Sequence, residues 1–439
     1  MLDEKIKEAI SRIEELSAQK ELTVISHFDT DGVTSAAIFS RALARWGKNF
    51  SMQIVKSLDE ELVRALPDDK VLIFLDLASG SLDYLKDKRT EVFVFDHHEI
   101  VQDVPDNVHM VNPAYEKEES LCSAAICYLF ARELNPANKD LANLAVVGTV
   151  GDLLDKHIGK VFSSILDDSE TIVRKGILLY PSTRPLDKAL EYSSQPYIPG
   201  VSGSRQGVLE LLRDAGIESD KGKFKALYEL NDEEMSKLIT AILLRSNGET
   251  KEDGLIGNLF LVKFFNKLED ARELSASINA CSRMGYPEVA LGFCLGNKQY
   301  KEEAEKIYIT YKQSLVAALK YVSESEKLEG KDYMIINARD RIKDTIIGTV
   351  ASILSHSPLY KEGLVIVALS YNEDKIKVSA RLAGRQGRNV RDLLHRAVVT
   401  LGGEVGGHPN AAGCLISKEK EEEFIGELRK VLDVETVRV

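Results

Sequence analysis

Four short apolar runs, at residues 22–25, 51–55, 71–75 and 92–95, are separated by stretches of helical spacing such as 58–66. Strand and helix in alternation close a core as a mainly parallel sheet with helices on both faces. Three of the four runs end in ligand-type side chains. His27-Phe28-Asp29-Thr30-Asp31-Gly32 follows the first, Asp76 the third, and Asp96-His97-His98 the fourth. A parallel sheet brings such ends to one edge, where ligands of open α/β sheets bind. One acidic turn ahead of a helix is unremarkable, since Asp caps helices and Gly permits tight turns. Capping does not explain its repetition after three strands. Gly32 is expected to let the chain turn sharply into a helix starting at Val33.

Residues 2–16 carry apolar side chains at helical spacing among many charges, which predicts an amphipathic helix. Two more apolar helices are expected at 123–134 and 141–150, the second running into Gly148-Thr149-Val150-Gly151-Asp152, whose acid is a fifth candidate for the same edge. From about 155 to 327 helical patterns dominate. Beyond 331 the pattern is α/β again, with strands expected at 333–336, 363–369, 375–381 and 414–416 and helices at 345–354 and 390–401. The fold class read from this order is α/β in three parts: a mainly parallel-sheet domain at 1–155, a helical middle region at 156–330 and a smaller α/β domain at 331–439.

At 439 residues the chain can hold two or three domains with their own cores. A net charge of −12 argues against a protein that coats nucleic acid through overall positive potential. It leaves room for an enzyme that meets phosphates through metal ions and one local basic patch. No apolar run approaches the roughly 20 residues needed to span a bilayer, and residues 1–5 lack a secretory pattern. The five scattered cysteines, Cys122, Cys127, Cys281, Cys294 and Cys414, form no C-x-x-C pair and read as buried thiols of a cytoplasmic protein.

Asp29, Asp31, Asp76, Asp96 and Asp152, brought together, cannot all stay ionised unaided, because like charges raise one another's pKa. Divalent cations resolve the conflict. A mixed carboxylate and imidazole set suits Mn²⁺, with Mg²⁺ as the alternative. The donors exceed the needs of one ion, which points to two ions about 3.5–4 Å apart sharing a carboxylate. Asp76, alone at a strand end, is the candidate bridge. His97 and His98 are adjacent and must diverge, so one can bind metal while the other meets the phosphate or the leaving oxygen.

A second feature lies near the C-terminus. Glycines 402, 403, 406 and 407 surround His408, and successive N–H groups of such a segment can form an anion nest. Lys375, Lys377, Arg381, Arg385, Arg388, Arg391 and Arg396 lie nearby, opposed by Asp392 alone, and read as a basic patch for a phosphate backbone.

The order and spacing of His27-Phe28-Asp29-Thr30-Asp31-Gly32, Asp76, Asp96-His97-His98 and Gly148-Thr149-Val150-Gly151-Asp152 resemble the four motifs of the DHH phosphoesterase superfamily. Gly406-Gly407-His408-Pro409-Asn410-Ala411-Ala412-Gly413 resembles the signature of its associated C-terminal domain. Pro196-Tyr197-Ile198-Pro199-Gly200 and Ile278-Asn279-Ala280-Cys281-Ser282-Arg283 are similar to the archaeal RecJ-like exonucleases. The resemblance implies an exonuclease that degrades single-stranded DNA or RNA from an end, dependent on two metal ions, with its active site in a cleft between two α/β domains. Carried onto matching positions, Asp29, Asp31, Asp76, His97 and Asp152 are metal ligands, joined by His27, where bacterial RecJ proteins have aspartate. His98, Asp96 and His408 are the catalytic residues, and Ser379, Arg381, Gly406, Gly407 and again His408 hold the phosphate. Replication or repair proteins are further partners the resemblance allows. Two other readings stay open: a phosphatase for pyrophosphate, nucleotides or short oligonucleotides, and a non-catalytic scaffold of the replication helicase.

Overall fold

The computed structural model describes residues 2–433 apart from 101, 115–118, 194, 195, 197, 246–254, 358, 385 and 404. Tyr197, Arg385 and Glu404, which belong to segments singled out above, lie outside the described residues. Met1–Lys306 form one compact unit and Ile307–Val439 a second. Among the described residues no helix is long and apolar enough to cross a membrane.

In the first unit β1 (Leu22–His27), β2 (Phe50–Val55), β3 (Val71–Leu75), β4 (Val92–Phe95) and β5 (Val108–Val111) form a parallel sheet in the order β2-β1-β3-β4-β5. Every residue of β3 is fully buried, which is why it reads as an unbroken apolar run rather than an alternating one. On one face Leu72, Phe74, Val92 and Val94 pack with Val63 of α3 (Glu60–Ala65). On the other, Phe95 meets Phe39 of α2 (Thr30–Arg45) and Phe130 of α4 (Ser123–Leu134), with the three ring centroids 4.7–5.2 Å apart. α1 (Leu2–Ser17) and α5 (Ala142–Gly151) match the expected helices. β5 was not expected. It is only four residues long and interrupted by His109, whose ring stacks on Phe93 at 4.6 Å.

The helical expectation for the middle region needs correction. Besides α6 (Lys160–Ser169), α7 (Leu186–Glu191), α8 (Arg205–Asp214) and α9 (Asp232–Arg245), it holds an antiparallel sheet of β6 (Ile172–Ile177), β7 (Ile256–Phe264) and β8 (Lys267–Asp270). β6 contains Arg174 and Lys175 and pairs with a strand distant in sequence, so local periodicity does not reveal it. α10 (Ala271–Met284) and α11 (Pro287–Cys294) follow, then α12 (Lys298–Glu324), within which the boundary between the units falls.

The second unit contains β9 (Leu328–Glu329), β10 (Tyr333–Asn337), α13 (Asp344–Ser355), β11 (Val365–Asn372), β12 (Lys375–Leu382), α14 (Val390–Val398), β13 (Val405–His408), β14 (Ala411–Ser417) and α15 (Glu421–Asp433). Its strands run in the order β13-β14-β12-β11-β10-β9. The glycine-rich segment, expected as an anion nest, is largely an edge strand hydrogen-bonded to β14. Gly407 has φ +114°, and a Cβ there would lie 2.4 Å from the Ala411 carbonyl oxygen, so the hairpin itself demands glycine.

Gly32 also has a different purpose from the one expected. α2 begins at Thr30, so Gly32 lies in its first turn. A Cβ at Gly32 would stand 2.3 Å from the His27 carbonyl oxygen, so glycine lets the helix start directly against the strand end. Gly32→Ala is expected to cost about 3 kcal/mol of stability by overpacking against backbone, measured by urea unfolding of the full chain. A loss within error would show that the turn relaxes freely.

Candidate metal centre

The strand order reverses between β1 and β3, and in open α/β sheets the crevice at such a switch point, beyond the carboxyl ends of the strands, is where ligands sit. His27 closes β1, Asp29 is the N-cap of α2 and Asp31 lies in its first turn. Asp76 directly follows β3 and takes a left-handed φ of +58°, rare for a residue with a side chain. Asp96, His97 and His98 follow β4, and Asp152 caps the C-terminus of α5. The fold thus brings all eight sequence candidates of this region together.

Hydrogen bonds fix the carboxylates individually. Gly32 N donates to Asp29 Oδ1 at 3.0 Å, and the first two amides of α4, Ser123 N and Ala124 N, donate to the two oxygens of Asp31 at 2.7 and 2.8 Å. An anion at a helix N-terminus is favoured by the unpaired amides and the helix dipole. Ser123 Oγ donates to Asp76 Oδ1 at 3.0 Å. Asp96 is engaged at both oxygens: Ser79 N donates to Oδ2, and His97 N together with His98 Nδ1 donates to Oδ1. Asp96 therefore stands behind His98 and sets its tautomer, leaving His98 Nε2 as the available ring nitrogen.

Three donor groups result, within each of which the ligand atoms lie within 4.8 Å of one another: His27, Asp29 and Asp76; Asp31, His97 and Asp152; and Asp76, Asp96, His97 and His98. Asp76 is shared by the first and third groups and His97 by the second and third, and the two oxygens of Asp76 face different partners. Its Oδ2 is 3.2 Å from His27 Nδ1, while its Oδ1 is 3.5 Å from His97 Nε2. His97 Nε2 is buried without a hydrogen-bond partner, yet it faces Asp152 Oδ2 at 3.4 Å and Asp31 Oδ2 at 3.8 Å. A buried ring nitrogen left unpaired among carboxylate oxygens is costly, and a cation between them would satisfy all of them. The donor set fits a divalent ion.

The charges agree with that fit. Burial, then the neighbouring Asp29, pushes Asp31 up to about 6, and burial with Asp31 does the same to Asp152. Burial and the charges of Asp31 and Asp29 raise Asp76 well above the usual carboxylate range. Burial opposes ionisation of Asp29 and Asp96 too, but His27 and His98 respectively hold them below that range. Burial lowers His97, keeping its imidazole neutral as a ligand must be, whereas the bond to Asp96 raises His98.

Comparison with known proteins agrees with this architecture. Residues 21–149 match the DHH family N-terminal domain, 179–257 the DHH-CID domain and 331–433 the DHHA1 domain. The chain belongs to the DHH family. An uncharacterized protein of Methanocaldococcus jannaschii is 27% identical over 459 aligned positions, covering 98% of both chains. The single-stranded-DNA-specific exonuclease RecJ of Bacillus subtilis is 24% identical over 170 residues, 35% of this chain and 22% of that protein. Among solved structures, RecJ of Thermus thermophilus in complex with Mn²⁺ aligns with a TM-score of 0.62 at 18% identity, over 98% of this chain and 55% of that one. CDC45 from Entamoeba histolytica aligns with a TM-score of 0.65 at 13% identity, over 98% and 99%. These likenesses are of fold.

In the DHHA1 domain the candidates share one sheet corner. Arg381 pairs across to Ala411, which pairs to His408, and Ser379 pairs to Gly413, which pairs to Gly406. Directly opposed residues share a face, so Ser379, Arg381, Gly406 and His408 lie on the same side. Ser379 is buried, whereas Gly406, Gly407 and His408 are exposed. Arg381 Nε donates to Ser352 Oγ of α13 at 2.9 Å, which aims the guanidinium. The single basic patch expected from sequence is divided. Lys375, Lys377 and Arg381 follow one another on this face of β12, while Arg391 and Arg396 ride on α14, which packs on the opposite face with Val378 and Ala380. Arg388 donates to the Leu432 carbonyl.

Several positioning roles around this centre were not read from the sequence, although Asn279 and Gly148 lie in segments quoted there. Asn112, buried, donates to the His98 carbonyl and to Ser79 Oγ, and Asn279 of α10 accepts from Thr30 N at the start of α2. Glycine 148 lets α5 close on the site, since a Cβ there would lie 2.5 Å from Ala124 Cβ and 3.0 Å from Asp31 Oδ1. Only the G-T-V-G pattern hinted at this.

Asp31 and Asp152 ionise near 6 when folded instead of 3.8. Their contribution to stability is therefore full below about 4 and lost as the pH rises through about 6. A bound cation takes the place of those protons. Mg²⁺ or Mn²⁺ at one fixed concentration, 100 times its Kd at pH 7.5, is expected to stabilise the full chain by about 2.7 kcal/mol there and by less near pH 5, where protons compete for the ligands, read as a thermal shift. Equal shifts at both pH values would mean that the ion binds elsewhere.

Proposed function

We propose that this chain is a two-metal phosphodiesterase that releases nucleotides from an end of single-stranded DNA or RNA. The observation that carries the reading is the division of Asp76, one oxygen towards His27 and the other towards His97. His27, Asp29 and Asp76 would hold one ion and Asp31, His97 and Asp152 the other, with Asp76 Oδ1, 3.5 Å from His97 Nε2, as the shared ligand. Mn²⁺ suits this mixture of imidazole and carboxylate, with Mg²⁺ the alternative, and the Thermus RecJ structure was solved with Mn²⁺. When bound, such a pair supplies an activated water and neutralises the phosphoryl oxygens.

The chain's own groups do the rest. His98 is half-exposed, and its Nδ1–H is tied to Asp96, so Nε2 can donate to a phosphate oxygen or to the departing oxygen. Asp96 favours protonation of that imidazole and orients it without touching substrate, which makes it a positioning residue. In the second unit Arg381 and His408, on one face of the sheet with Ser379 and Gly406, form a phosphate-holding set, with Gly407 allowing close approach. The run of Lys375, Lys377 and Arg381 along β12 favours a polyanion over a small phosphate ester.

The test is digestion of 5′- and 3′-labelled DNA and RNA strands with Mn²⁺, alongside a dinucleotide and pyrophosphate. Mononucleotide release from the long strand is expected in the wild type and only background release in Asp31→Ala. Cleavage of the small substrates alone would replace the polymer reading with a phosphatase. Unchanged release by Asp31→Ala would overturn the site.

A further inference from the structure

The first residue of α4 does something its helix does not require of it. The capping of α4 belongs to Cys122, whose Sγ accepts from Ala125 N at 3.4 Å. The hydroxyl of Ser123 is thus spare, and it reaches out of the helix to Asp76 Oδ1 at 3.0 Å. The amide of the same residue donates to Asp31 Oδ2 at 2.7 Å. One fully buried residue therefore ties the candidate ligand after β3 to the candidate ligand after β1.

The Asp76 carboxylate needs such a tie. Its Oδ2 has His27 Nδ1 at 3.2 Å, whereas its Oδ1 accepts from the Ser123 hydroxyl at 3.0 Å, with His97 Nε2 and His98 Nδ1 standing off at 3.5 and 3.8 Å. A carboxylate can rotate about its terminal torsion at little cost. If it turned, both oxygens could fall to one side and the other donor group would lose its shared ligand. Water cannot replace the hydroxyl at a fully buried position without finding room and partners of its own.

We propose that Ser123 is a positioning residue that fixes the rotation of the Asp76 carboxylate, so that one oxygen is kept for each of two ions. The proposal rests on the two-ion reading above. A serine that merely filled space or completed the helix start would affect folding; a serine that sets a bridging ligand affects one ion and spares the other. The backbone amides that hold Asp31 survive in any variant, so loss of the hydroxyl isolates the Asp76 contact.

The experiment is calorimetric titration of the metal-stripped full chain with Mn²⁺, with the electron paramagnetic resonance of the loaded protein recorded beside it. The wild type is expected to show two affinities and the spectrum of a coupled Mn²⁺ pair. In Ser123→Ala one affinity should fall about tenfold while the other stays within about twofold, as for loss of a partner to a metal ligand. The coupled spectrum should give way to that of isolated Mn²⁺, and the melting temperature of the metal-free chain should hold. Ser123→Thr, which keeps the hydroxyl, should restore both affinities and the coupled signal. Wild-type titration and spectrum in Ser123→Ala overturn the proposal, as does equal weakening of both affinities with a lower melting temperature. A wild type that binds fewer than two Mn²⁺ overturns the two-ion reading, and the role of Ser123 with it.

Discussion

The rest of the structure depends on how mutually repelling carboxylates are kept together at the end of a buried sheet. Asp31, Asp76 and Asp96 are almost completely buried, and Asp29 and Asp152 adjoin them. Charges in such a place are tolerated only when paired or hydrogen-bonded. The fold meets part of the cost with amides: two from the start of α4 on Asp31, that of Gly32 on Asp29, and those of Ser79 and His97 on Asp96. His27 and His98 meet another part, holding Asp29 and Asp96 ionised. What remains uncompensated is concentrated on Asp31, Asp76 and Asp152, around a buried His97 Nε2 that has no hydrogen-bond partner. That residue of unmet charge is the physical content of a cation site.

The scaffolding is arranged to keep this imbalance in place. The sheet order puts β1 between β2 and β3, which opens the crevice where His27, Asp29, Asp31 and Asp76 meet. Close approach of helices then packs the crevice tightly. Gly32 lets α2 start against the end of β1, and Gly148 lets α5 lie on Ala124 and Asp31. α10 reaches in as well, through Asn279 on Thr30 N and Ser275 on the Thr30 hydroxyl. Each of these contacts holds a helix close against the carboxylates.

In the second unit the design is different, because nothing there needs to be kept apart. Ser379, Arg381, Gly406 and His408 are placed by strand register, through antiparallel pairs across β12, β14 and β13, with Ser352 of α13 also holding the Arg381 guanidinium. Register sets which side chains share a face, and one slip would send them to opposite faces. The positive φ of Gly407 within β13, where a Cβ would strike the Ala411 carbonyl oxygen, suits that close pairing at the edge.

Much of this was legible in the sequence, for a definite reason. Strand-end ligands need no knowledge of contacts, since a parallel sheet gathers its carboxyl ends wherever the helices go, and so the group from His27 to His98 was visible from order and spacing, whereas Asp152, at a helix end, became a candidate only beside them. The apolar strands and helices around it were visible for the same local reason. Tertiary structure alone decided what depends on distant partners. It made β6 a strand by pairing it with β7, divided the basic residues between the two faces of the second sheet, and turned a presumed nest into an edge strand. It also decided which carboxylate carries which charge. Asp96 and Asp31 look alike in the sequence, yet the first is bound to a histidine and held low, while the second is buried beside Asp29 and pushed up. Burial and neighbours set those differences, and neither is written in the local chain.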